Sequence, residues 1–260
     1  MKKTLLLAAA CTLLAGCHKH ICQEYQDVDP QDYPIAISYT AEKITIDGKL
    51  DENIWRQVPE SRLRQVPFFK GPEKSANRVK QDAFQHAEVR LAYDKDYLYI
   101  AAKLYDEDIV QLDTEHQKQS YSNGDIFEFF LKPKNKTYYW EFYVSPQNKR
   151  TSFFFPSSGM LIANNFRQDN FIESMRSAVQ INGTLNDSSD RDKFWTLELA
   201  IPLKVLEAKG AEFSMRNGWT ALLARYNYDM RFRYVQLSAY PLTPVAGNHL
   251  IEYYGDLHFE

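Results

Sequence analysis

The sequence predicts an all-β protein, an antiparallel β-sandwich of immunoglobulin or jelly-roll type with one or two short helices. Three observations lead there. Runs that alternate apolar and polar residues recur along the chain, separated by turn signals. Aromatic residues make up 14% of the chain, 17 Tyr and 16 Phe among them, which suits pleated sheets. From residue 36 to 260 about 225 residues remain, a common size for one all-β domain.

Met1-Lys2-Lys3 is a short basic start, and residues 4–16 are apolar or small. That run is too short to span a bilayer and has the pattern of a secretory signal. It ends in Leu14-Ala15-Gly16-Cys17, which resembles the bacterial lipoprotein lipobox. The resemblance implies cleavage before Cys17 and lipid attachment there, and several acyl chains anchor stably where one binds reversibly. Residues 1–16 are then the signal, 17–35 a lipidated polar tether, and 36–260 the folded domain. The expected location is the cell envelope, on the periplasmic face or the surface of a bacterium. Of the three cysteines, Cys11 leaves with the signal and Cys17 is acylated, so Cys22 has no disulfide partner. No C-x-x-C encodes a zinc ribbon or haem attachment. His18 and His20 read as polar residues of the tether.

Net charge is −3 with both signs interspersed, and no basic stripe points to nucleic acid. Along the domain, residues 42–47 alternate as a strand stopped by the Asp47-Gly48 turn. Asp51 is placed to cap a helical turn that presents Ile54 and Trp55 to the sheet. Leu63 to Phe69 reads as extended and residues 70–86 as a charged loop. Ala87 to Tyr93 and Tyr97 to Tyr105 form a hairpin, with Val89, Leu91, Leu98, Ile100 and Leu104 inward. Asp106, Glu107, Asp108 and Asp113 follow. Calcium takes about six to eight oxygen ligands, but no spacing here specifies a site, and no cofactor is assigned.

Asn123 to Ser145 carries the pattern of most interest: two β-rich runs around a polar loop containing Pro133. Side chains alternate between faces of a strand. Phe127, Phe129 and Leu131 therefore share a face with Asp125, and Tyr138, Trp140, Phe142 and Val144 form the apolar face of the second run. Pairing apolar with apolar puts Glu128 and Glu141 on a common surface with Tyr139 and Tyr143. Carboxylates among aromatic rings suit a sugar: rings take its C–H face, and carboxylates accept strong bonds from its hydroxyls. Ordinary strand packing accounts for the same residues.

Downstream, residues 150–155 read as a strand beside the hairpin and 156–176 as a loop bordering the site. Strands are expected at 177–181, 193–201, 219–228, 231–239 and 253–259, with a helix opening at Pro202. Trp55, Trp140, Trp195 and Trp219 sit in apolar patterns and read as core.

Read together, these segments resemble carbohydrate-binding module family 9. Ile46-Asp-Gly-Lys-Leu-Asp-Glu-Asn-Ile-Trp55 is similar to its opening I-D-G-x-x-D-E-x-x-W, and residues 91–99 to its L-x-Y-D-x-x-x-L-Y hairpin. Residues 123–131 resemble the D-x-x-E-x-F-L strand and 138–142 the strand after it. Trp195 to Pro202 resembles W-x-x-E-x-x-I-P, and residues 249–255 the closing H-x-P-E-x-F-G. The resemblance implies a non-catalytic sandwich that binds oligo- or polysaccharide in a shallow site of aromatics, Glu, Arg and amides. It places Glu128 at a family carboxylate, Tyr143 near an Arg of the ligand-binding strand, Arg225 on the late strand, and His249 and Glu252 in the closing motif. Arg225 equally reads as an ion-pair partner for a carboxylate such as Asp125. Both clamping tryptophans are absent: Ser122 stands at one position, beside Tyr121, and Asn248-His249 at the other. Tyr121 and Tyr240 are the replacements, since Tyr also stacks.

The leading function is thus glycan capture by an envelope lipoprotein, with glycan-degrading enzymes or transporters as partners. A glycoside hydrolase requires two carboxylates about 5–9.5 Å apart across a cleft, for which Glu128 and Glu141 are the candidates. Related DOMON-like sandwich domains bind haem through residues such as Met and His; Met160, Met175, Met215, Met230, His86, His116 and His249 show no diagnostic spacing. An interaction module without a sugar ligand completes the set.

Overall fold

The computed structural model describes residues 33–66, 84–158, 170–230, 234–244 and 246–260. The signal, the tether as far as residue 32, Cys17, Cys22, His18, His20 and Met160 lie outside the described residues. So do the end of the 63–69 run, most of the 70–86 loop and the middle of the 156–176 loop.

Thirteen strands and two short helices are described. They are β1 (Ile35–Tyr39), α1 (Asn53–Gln57), β2 (Ser61–Arg62), β3 (Arg64–Gln65), β4 (Ala87–Tyr93), β5 (Tyr97–Tyr105), β6 (Ile126–Pro133), β7 (Tyr139–Val144), β8 (Arg150–Phe155), β9 (Arg176–Asn182), β10 (Phe194–Pro202), α2 (Leu203–Glu207), β11 (Trp219–Asp229), β12 (Tyr234–Tyr240) and β13 (Gly255–Phe259). Single 3-10 turns form at Ser120–Ser122 and Ile251–Tyr253. The protein is mostly β, as expected. Its strands join in one large, nearly closed sheet, in the order β8-β7-β6-β11-β13-β1-β4-β5-β10-β9, with β12 on β11.

Two expectations need correction. Pairing is mixed rather than purely antiparallel, because β1 lies parallel to both β13 and β4. β1 begins at Ile35, and Ile35 and Ile37 are fully buried. The strand read at 42–47 does not form. Its backbone donors go to side chains: Thr45 N–H to Glu52 Oε1, and Asp47 N–H to Glu198 Oε2, each at 2.9 Å.

Glu198 explains why two distant motifs belong together. Its carboxylate also accepts Gly48 N–H at 2.9 Å and the Trp55 indole N–H at 2.9 Å. Gly48, at φ +82°, turns the chain so that both amides face one oxygen. Strand alternation explains the rest. Phe127, Phe129, Leu131, Trp140, Phe142 and Val144 enter the main core with Trp195 and Trp219 from β10 and β11. The opposite faces of β6, β7, β8 and β11 carry a second cluster of Ile126, Phe130, Tyr139, Tyr143, Phe153 and Phe155.

Candidate carbohydrate site

A cleft of about 330 Å³ opens into that second cluster. Its floor is the hairpin. Glu128 on β6 stands opposite Tyr143 on β7 and Ala224 on β11, while Glu141 stands opposite Phe130 and Phe153. Glu128 and Glu141 are thus diagonal neighbours on one face, as the alternation predicts. Tyr143 donates its hydroxyl to Glu141 Oε1 at 2.5 Å. Asn248 donates its side-chain amide to Glu128 Oε2 at 2.6 Å from the returning segment 247–249. That segment is held in turn by the Tyr254 hydroxyl on the Asn248 carbonyl at 2.8 Å.

Both acids are almost covered, Glu128 at 1% exposure and Glu141 at 3%. Burial raises Glu128 to about 8, against the opposing effect of its bonds to Asn248 and Tyr143. Glu141 lies well above the usual carboxylate range through burial and then through the charge of Glu128. The pair therefore does not carry two negative charges at neutral pH. It offers a ligand both an acceptor and a proton.

Aromatic rings form the walls. Tyr121 and Tyr226 lie 5.4 Å apart at 33° on one side. Opposite, His249 meets Phe155 at 5.1 Å and Phe130 at 5.6 Å. Tyr139 lies beneath, stacked on Phe155 at 4.7 Å, and its hydroxyl meets His249 Nδ1 at 2.9 Å. Burial lowers His249 to about 4, so the ring is neutral at pH 7. With Tyr139 as donor, Nδ1 accepts and Nε2 carries the hydrogen. Gln119 adds an amide at the rim, bonded to the Tyr121 hydroxyl.

Five of the sequence candidates line this cleft: Tyr121, Glu128, Glu141, Tyr143 and His249. Tyr139 is fully buried and supports His249 from below. Three are elsewhere. Arg225 is a correction: its backbone pairs with Phe127, so its side chain points to the main core, away from Glu128. There its guanidinium bonds Asp106 Oδ2 at 2.8 Å, Asn227 Oδ1 at 2.9 Å and the Tyr105 carbonyl at 2.7 Å. Its ionic partner is Asp106 rather than Asp125, whose carboxylate accepts the Val110 and Tyr228 amides. Tyr240 also faces the main core, with its hydroxyl on the Pro34 carbonyl at 3.1 Å. Glu252 is exposed on the turn after the 247–249 segment and outside the cleft lining.

Tyr226, Asn248, Gln119, Phe153 and Phe155 were not singled out. Alternation along β11 carries the signal for Tyr226, which shares a face with Ala224, the residue opposite Glu128. The acidic residues after β5 have other partners: Asp106 takes Arg225, Glu107 takes Arg191, Asp108 accepts Met230 N–H and Asp113 accepts Asn123. Among the described residues no group of three or more His, Cys, Asp or Glu is placed to hold a metal ion. Met175 lies in the core, and Met215 and Met230 are exposed. No helix among the described residues is long and apolar enough to cross a membrane.

No family model matches the chain, and no curated protein matches it. Solved structures do. A candidate carbohydrate-binding protein from Bacteroides uniformis ATCC 8492 superposes with a TM-score of 0.63 at 11% identity, over 88% of this chain and 99% of that one. A carbohydrate-binding module family 9 domain from Caldicellulosiruptor kristjanssonii, in complex with cellotriose, gives 0.57 at 16% identity, over 87% and 93%. Its complex with glucose gives 0.55 at 15%, over 87% and 95%. The chain has the fold that its ordered motifs imply, that of the carbohydrate-binding module family 9 domains.

Proposed function

We propose that this protein is a non-catalytic glycan-binding lipoprotein that captures polysaccharide at the bacterial cell envelope. The observation that carries the reading is the polar floor of the cleft. Glu128, held by Asn248, and Glu141, held by Tyr143, present acceptors between the Tyr121–Tyr226 pair and His249. A pyranose matches that arrangement: its C–H face covers a ring while its hydroxyls bond the carboxyl groups and amides. The module whose complex holds cellotriose supports the ligand class. Anchoring through Cys17 would keep captured glycan beside degrading enzymes or transporters. A competing reading, an interaction module without a sugar ligand, draws on the near-complete cover of Glu128 and Glu141 and on a cleft that no tryptophan lines. A glycan array probed with the full-length chain separates the two. Binding to saccharides that is lost in Glu128→Gln supports capture, and a blank array supports the interaction module.

A further inference from the structure

A second cleft, of about 700 Å³, lies at the edge where the 43–46 loop, the 145–149 turn and the start of β9 meet. Lys43, Lys149, Arg150 and Arg176 line it together with His116 and Asn148, and no carboxylate does. Among the described residues none of those four cations has an ion-pair partner. In a chain of net charge −3 this is a concentrated positive site.

The two guanidinium groups and the backbone of the Lys149 turn are held in place. Asn148, at φ +57°, closes a tight turn in which Ser145 N–H bonds the Lys149 carbonyl at 3.0 Å. Asn148 and Ser177 exchange hydrogen bonds, which tie that turn to β9. The Arg150 guanidinium bonds the Met175 carbonyl, and that of Arg176 lies 4.7 Å above the Tyr97 ring. Fixed guanidinium forks match the planar oxygens of carboxylate and the tetrahedral oxygens of sulfate. His116 reports the local field: burial first, then the charges of Arg150 and Lys149, hold it below the ordinary imidazole range.

The two clefts are neighbours. His116 lines the basic one and Gln119 the aromatic one. Three residues of chain span at most about 10–11 Å. Gln117 N–H bonds the Arg150 carbonyl at 2.9 Å, and the Thr151 hydroxyl bonds the Lys118 carbonyl at 2.8 Å, so this segment follows β8 from one cleft to the other.

We propose that the basic cleft binds the carboxylate or sulfate groups of an acidic polysaccharide whose adjoining sugar occupies the aromatic cleft. The inference rests on the glycan-binding reading and names the class of glycan. Calorimetry on the full-length chain tests it with oligogalacturonate, chondroitin sulfate oligosaccharide, cellohexaose and phosphatidylglycerol vesicles. An acidic oligosaccharide binds more tightly than cellohexaose at low salt, and its advantage shrinks as salt screens the cleft. The double variant Lys149→Ala/Arg176→Ala lowers acidic-glycan affinity at least about tenfold, the loss of one or both charge-assisted hydrogen bonds, and leaves cellohexaose binding and Tm unchanged. Acidic glycans that bind no better than cellohexaose, or equally well to the double variant, overturn the proposal. So does a double variant that loses only vesicle binding. Acidic binding sensitive to the double variant, with no effect of Asn248→Ala on any glycan, supports the basic cleft and refutes the aromatic one.

Discussion

Asn248 and Glu128, 120 residues apart in sequence, meet at 2.6 Å, and this bond fastens the returning segment onto the floor of the cleft. Burial of Glu128 outweighs the bond and favours the neutral form of its carboxyl. Folding therefore retains a proton at Glu128 that the unfolded chain gives up.

The consequence is a pH-dependent stability with a defined sign. Glu128 rises from 4.5 to about 8 on folding, and Glu198 from 4.5 to about 7. Between those values the folded state binds more protons than the unfolded, so stability falls as pH rises from about 4.5 to 8. Thermal melts should show Tm declining across this window. Glu128→Gln, neutral at every pH, should flatten the decline, with Glu141 and Glu198 supplying the remainder. An unchanged slope in the variant contradicts the assignment.

Arg225→Leu tests the relocation of that residue. Removing the guanidinium leaves Asp106 buried without its counter-ion, which costs about 3–5 kcal/mol. For a domain of this size Tm should drop by roughly 6–20 °C. Glycan affinity measured well below that temperature should match the unaltered protein. A loss of affinity without a loss of stability would return Arg225 to the ligand.

Glu198→Ala should cost roughly 2–4 kcal/mol, because the amides of Asp47 and Gly48 and the Trp55 indole lose their common acceptor. Urea unfolding should show a lower midpoint at unchanged slope. Cellohexaose binding should persist in the folded fraction, since none of these residues lines the aromatic cleft.

Cys17→Ser should abolish incorporation of labelled fatty acid and release the protein from the membrane fraction, as the lipobox resemblance implies. Retained label would place the acylation elsewhere.

Much of the site was legible in the hairpin because period-2 alternation fixes faces without knowledge of partners. Glu128, Glu141 and Tyr143 share a surface in the structure as the sequence requires. Arg225 was misplaced because its face depends on the register of β11 against β6, and motif similarity carries no register. Parity alone would have favoured Tyr226. Parallel pairing of β1 with β13 joins residues more than 200 apart, Ile35 with Leu257, and leaves no local mark in the sequence. The 42–47 segment alternates like a strand, yet the Glu198 and Glu52 carboxylates capture its amides. Asn248 reaches Glu128 only through the path of the chain after β12.

The decisive measurement is calorimetric titration of the strongest array ligand into the unaltered chain and into Asn248→Ala. Removing this amide deletes a contact to Glu128 at the cleft wall while leaving both cores intact. The expected result is at least about tenfold weaker binding, or about 1.4 kcal/mol, measured at a temperature where both proteins are fully folded. Equal affinity in the two proteins would place the glycan outside this cleft.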